Sequence, residues 1–173
     1  MPPFVLATGE GAGIAAAAGL PLVIGDLRGR DRLLNAVDTY RASFRPSPWA
    51  AEPYVVVAGT VAVAAAEAEA RRLLIPEAWS LAYSRTRGVF PALAAPERIG
   101  VLPMTEKQRG LYEAGLEGHV HGTEEQVAEA LQRAVKETGA QEVLVTTSTY
   151  DRAAPSESYR RLARAVGLTP RIP

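Results

Sequence analysis

Residues 54–63, Tyr-Val-Val-Val-Ala-Gly-Thr-Val-Ala-Val, constrain this chain more than any other stretch. The segment is apolar at nearly every position and rich in β-branched residues, which suit a pleated surface. An alternating strand leaves one face to water. A continuous apolar run needs cover on both, the mark of a parallel sheet in an α/β fold. Residues 4–8, 22–24 and 142–146 are shorter runs of the same kind.

Helical patterns separate these runs. Residues 9–13, Gly-Glu-Gly-Ala-Gly, form a glycine turn, and residues 14–18 a short helix closed by Gly19. Leu33, Leu34, Val37, Tyr40 and Phe44 recur at helical spacing over residues 30–44. Prolines 46, 48 and 53 make residues 45–53 a loop. A helix is expected from Ala65 to about Arg85, kinked or broken at Pro76. Residues 88–104 lack periodicity and read as an irregular excursion. Residues 105–118 read as a helix. Thr123 with Gln126 matches a capping box opening another, whose apolar face carries Val127, Leu131, Ala134 and Val135 and which Gly139 stops. Residues 156–166 form a last amphipathic helix.

Four strand–helix repeats in a single domain, 1–173, follow: an α/β chain with about four parallel strands and covering helices. Periodicity leaves a doubly wound open sheet and part of a barrel equally open.

Composition narrows the function. Lys+Arg and Asp+Glu both number 19, so the basic surplus that nucleic acid or an acidic membrane requires is absent. Without cysteine there is no disulfide, thiolate catalysis or Cys-held metal, as expected of a cytoplasmic protein. The longest apolar runs fall short of the ~20 residues that span a bilayer. His119 and His121 form an H-x-H pair with no acidic cluster beside it, so no metal is expected.

Three stretches carry a resemblance. Ala36-Val-Asp-Thr-Tyr40-Arg-Ala-Ser-Phe44-Arg-Pro-Ser47 is the first, and Glu52-Pro-Tyr54-Val-Val-Val-Ala58 follows it. The third runs from Glu137-Thr-Gly-Ala-Gln-Glu142-Val-Leu-Val-Thr-Thr147 through Tyr150-Asp151 to Ser158-Tyr159-Arg-Arg-Leu162. In order and spacing they resemble bacterial luciferase-like, flavin-dependent monooxygenases, and the likeness covers roughly residues 4–166. It implies a partial TIM-type (β/α) barrel, corresponding to strands five to eight of a fold that takes about 250 residues.

The resemblance further implies reduced FMN delivered by a separate flavin reductase, and one oxygen atom inserted into an aldehyde or other small organic substrate. FMN would sit at the C-terminal ends of the strands. Thr8, Gly9, Gly11 and Gly13 would cradle its phosphate, since glycines let N–H groups approach an anion at a helix start. Gly25 and Asp26 would approach the ring, and Thr147 a flavin edge or the substrate. Relatives carry serines in the glycine turn, where this chain has Thr8 and an added Glu10; they often pair Gly with His where this chain has Gly25-Asp26. No catalytic residue can be assigned. Half a barrel leaves two strand edges and an apolar face open. Completion is therefore expected from a homodimer, a partner chain or a rearranged N-terminal segment. Two other functions stay open: a non-catalytic flavin-binding or accessory subunit, and a different small α/β enzyme.

Overall fold

The computed structural model describes residues 3–8, 10–25 and 29–168. The chain divides into two compact units, Met1–Thr60 with Leu131–Thr146 and Val61–Ala130 with Thr147–Pro173.

In the first unit, β1 (Val5–Ala7), β2 (Leu22–Gly25), the first part of β3 (Val55–Val63) and a later strand, Glu142–Thr146, form one parallel sheet. Each strand is added on the same side of the one before it. A doubly wound sheet reverses direction once and so gains helices on both faces. Addition in one direction, with right-handed crossovers, puts the helices on one face and is how a barrel grows. Strand order therefore settles what periodicity left open.

The covered face holds this unit's core. Ala7, Leu22, Ile24, Val55 and Val57 pack against Ala12, Ala15 and Ala16 of α1 (Gly11–Ala18) and Leu33, Ala36, Val37 and Tyr40 of α2 (Arg30–Ser43). Alanines along α1 let it lie close to the sheet. Gly19 ends the helix at φ 61°, and a Cβ there would meet the Arg45 carbonyl oxygen at 2.3 Å, so both conformation and space require glycine. Fully buried Tyr40 joins three segments: its hydroxyl donates to Leu20 O (2.9 Å) and accepts from Tyr54 N (3.1 Å), and its ring meets Phe44 edge-on. Ser47 Oγ donates to Gly19 O at 2.7 Å and accepts from Trp49 N, fixing the proline-rich loop.

The other face is buried at its centre and open at its edges. Across it the register sets Leu6, Val23, Val56 and Glu142 in one row, then Gly25, Ala58 and Leu144, then Thr60 and Thr146. Exposure rises towards the edges: Val56 is 4% exposed, Leu144 51% and Leu6 74%. Covering a leucine side chain fully contributes about 1.5–3 kcal/mol, so this face leaves several kcal/mol unrealised.

In the second unit, Val61–Val63 at the end of β3 pairs in parallel with β4 (Val120–Gly122), a short strand the sequence pattern did not reveal. The last strand of the chain is thus β5 (Glu142–Thr146). Of the kink or break expected at Pro76, the break does not occur: helix α3 (Glu67–Arg87) continues through it. Its buried Ala70, Leu74 and Ala78 pack with Ala62 and with Leu116 of α5 (Glu106–Leu116), and Gly115 leaves room for Ala78. The stretch expected to be irregular, 88–104, contains the five-residue helix α4 (Pro96–Gly100). Thr105 and Gln108 close a capping box on α5. The last helix, α7 (Ala154–Ala165), presents Ser158, whose buried Oγ accepts from Val63 N at 2.8 Å.

The expected box opening α6 (Glu124–Thr138) is present: Thr123 N donates to Gln126 Oε1 (2.9 Å) and Gln126 N to Thr123 Oγ1 (3.4 Å). Thr123→Ala is expected to lower stability by about 1 kcal/mol, read from a urea melt; an unchanged midpoint would show that the box is ornamental.

Candidate functional site

The proposed cofactor residues divide when placed on this frame. Thr8, Gly11, Gly13 and Gly25 all lie at the C-terminal ends of β1 and β2, the edge where barrels build their sites. Gly9 and Asp26 lie outside the described residues. Thr147 belongs to the second unit.

Thr8 is exposed, and Glu10 precedes α1 with helical backbone angles. The Glu10 side chain does not cap α1, and Gly13 N donates to Glu10 O at 3.1 Å; the N–H groups at the start of the helix form a weakly positive end. Gly11 has a packing role: a Cβ there would stand 2.6 Å from the Ala7 Cβ. Gly13 and Gly25 differ from it. A Cβ at either would meet nothing within 4 Å, and neither has a left-handed φ. Glycine inside a helix or strand costs about 0.5–1 kcal/mol relative to alanine, and the packing here gives no return for it. Open backbone at a strand end and in the first turn of the adjacent helix is the shape a flavin and its phosphate need, so these two glycines fit the group. Glu10 opposes it by charge.

Thr147 is already engaged, its hydroxyl donating to the Val61 carbonyl oxygen. Thr149 Oγ1 likewise donates to Asp151 O at 2.6 Å, so two hydroxyls after β5 tie down the loop. Thr60 was not evident from sequence. It is the lone hydroxyl in the β3 run, shares the uncovered face with Val56 and Ala58, and pairs in register with Thr146. Strand phase, once known, would have selected it.

At the opposite edge of the same sheet, Tyr54 Oη donates to Glu142 Oε1 at 2.5 Å. That bond holds the phenol above the ordinary tyrosine pKa. Phe4, Pro21, Trp49 and Tyr54 line a groove of about 480 Å³ nearby, with Trp49 56% exposed. In the second unit Arg72, Pro76, Glu97, Tyr150 and Asp151 line a cleft of about 270 Å³. Neither hollow includes a proposed cofactor residue. Trp79 is buried edge-on to Tyr83, a packing role. His121 Nδ1 lies 3.0 Å from the His119 carbonyl oxygen, and no group of three or more metal-binding side chains occurs among the described residues. No described helix is long and apolar enough to cross a membrane.

Parallel strands added in one direction, helices on one face and open glycines at the C-terminal edge define part of a (β/α) barrel, and luciferase-like monooxygenases are among the barrels it matches. The chain is similar to apo-MsnO8, with 27% identity and a TM-score of 0.80 over 97% of this chain and 51% of that one. It is also similar to the FMN-bound oxygenating constituent of 3,6-diketocamphane monooxygenase from Pseudomonas putida, at 17% identity and TM-score 0.60, covering 98% of this chain and 49% of that one. An F420-dependent secondary alcohol dehydrogenase in complex with an F420-acetone adduct shares the fold at 16% identity and TM-score 0.63, over 96% and 49%. The chain thus spans about half the length of the structures it matches. No family model and no curated protein matches the sequence.

Proposed function

We propose that this chain forms the phosphate-binding half of a luciferase-like, FMN-dependent oxidoreductase barrel, active once the other four strands are in place. The likeness to MsnO8 over 97% of this chain carries the reading, and the open backbone at Gly13 and Gly25 supports it locally.

The first N–H groups of α1 would receive the phosphate, with Thr8 beside them and Gly13 giving close approach. Gly25 would let the ring system lie against the end of β2, and Thr60 and Thr146 would offer hydroxyls from the inner face. Reduced FMN from a separate reductase would supply the oxygen chemistry when bound. The protein's part is to bind, orient and shield it. The leucines of the inner face exclude water only when the opposite half covers them. An aldehyde or another small organic molecule is the proposed substrate, and the acid–base residues would come from the absent strands.

One observation favours a non-catalytic flavin-binding or accessory role instead: Glu10 sets a carboxylate at the helix start where an anion would bind. FMN fluorescence quenching, followed by reductase- and NADH-dependent oxygen uptake, separates the two. Quenching with oxygen uptake supports the enzyme, and quenching alone the accessory role. Neither, for the completed barrel, removes both.

A further inference from the structure

We infer that the uncovered sheet face is completed by a non-identical half-barrel that brings a basic side chain to Glu142, and that Glu142 bars a second copy of this chain from that place. The inference rests on the half-barrel reading above.

Glu142 begins β5 and stands in the same row as Leu6, Val23 and Val56. It is the only charge among the inward-facing positions of the four strands; no lysine, arginine or histidine stands there. Its carboxylate accepts from the Tyr54 hydroxyl, a neutral donor. When the barrel closes, this carboxylate loses much of its water. A desolvated carboxylate needs a cation or several donors.

A second copy cannot provide that cation. Barrel interiors are layered, each layer drawn from alternate strands. In a two-fold barrel of four strands each, the fourth and eighth strands are both copies of β5. They have the same parity, so the two Glu142 side chains would enter the same layer. Like charges would face each other near the apolar Leu6, Val23 and Val56 of the same row. An inward-pointing charge on an edge strand is also a known guard against edge-to-edge pairing. A complementary half with Lys or Arg in that layer turns the same charge into a recognition contact.

Charge reversal tests this with the chain itself. Light scattering after size exclusion would be run on wild type, E142K and their equimolar mixture, with L144R as the marker of inner-face association. Wild type and E142K are each expected to show no L144R-sensitive dimer. The mixture is expected to form one, because every mixed pair sets Lys against Glu, and salt should weaken it. If E142K melts early, E142L serves: removing the charge should allow L144R-sensitive self-association. An L144R-sensitive wild-type dimer overturns the inference. So does a mixture, or a folded E142L, that stays monomeric on this face. FMN quenching on the same samples keeps the two readings apart. A wild-type dimer that binds FMN sinks the inference and leaves the flavin reading standing. A charge-swapped dimer supports the inference whether or not it binds FMN, because the flavin reading is judged on the completed barrel.

Discussion

Tyr40→Ala is expected to lower the stability of the chain by about 3–5 kcal/mol, the usual cost of truncating a buried aromatic. Small domains have about 5–15 kcal/mol in all, so a large share of the fold's margin would go. Tyr40 is fully buried, packs on Phe44, and its hydroxyl links the α1–β2 connection to the start of β3. Tyr40→Phe keeps the ring and removes both hydrogen bonds. It should cost about 1–3 kcal/mol, because the Leu20 carbonyl and the Tyr54 N–H lose their partner in a part-buried site. Urea denaturation measures both. If Tyr40→Ala shifts stability by no more than a surface change does, the core has been placed wrongly.

The second large effect is on cofactor binding. Gly25→Val is expected to weaken FMN binding to the completed barrel about tenfold or more, equivalent to about 1.4 kcal/mol, while leaving the melt nearly unchanged. The separation is possible because a Cβ at Gly25 meets no neighbour, and a β-branched residue suits a strand. Gly13→Asp should act alike, adding charge at the helix start in open space. Gly11→Ala makes the contrast: its Cβ would collide with that of Ala7, and overpacking of this kind typically costs about 1–3 kcal/mol. Gly11 should therefore report on folding, and Gly13 and Gly25 on binding. Equal FMN affinity in Gly25→Val and wild type would move the flavin away from β2.

This contrast explains how much was legible in the sequence. Several residues in the stretches that carried the resemblance hold the fold together. Tyr40 and Phe44 lie in the core or against it, Ser47 fixes a loop to Gly19, and Ser158 bonds the end of β3. Such residues are each held by specific partners, so their spacing reflects the fold and can be recognised. Strand order could not be read, because a continuous apolar run has the same pattern in a barrel and in a doubly wound sheet. Inward phase was equally hidden in β3, and with it the significance of Thr60, Tyr54 and Glu142. Strand β4 escaped notice because three residues are too few for a pattern. The cofactor residues were harder still. Gly11 and Gly13 are two positions apart in one turn, yet only the distance to Ala7 tells the packing glycine from the open one. Thr147 was expected at a flavin edge or the substrate, and its hydroxyl bonds Val61.

This sheet is half of a barrel, its inner face open at the edges. The chain contains no cysteine, so one introduced thiol reports one position. Leu144→Cys and Val57→Cys sit on neighbouring strands but face opposite sides of the sheet, 51% and 0% exposed in the native residues. Maleimide labelling is to be timed on each variant in samples shown by light scattering to be monomeric. L144C should react about as fast folded as in urea, and V57C only after unfolding. Protection of L144C in the folded monomer to the same degree as V57C would mean that the inner face is already covered, and the half-barrel account would be wrong.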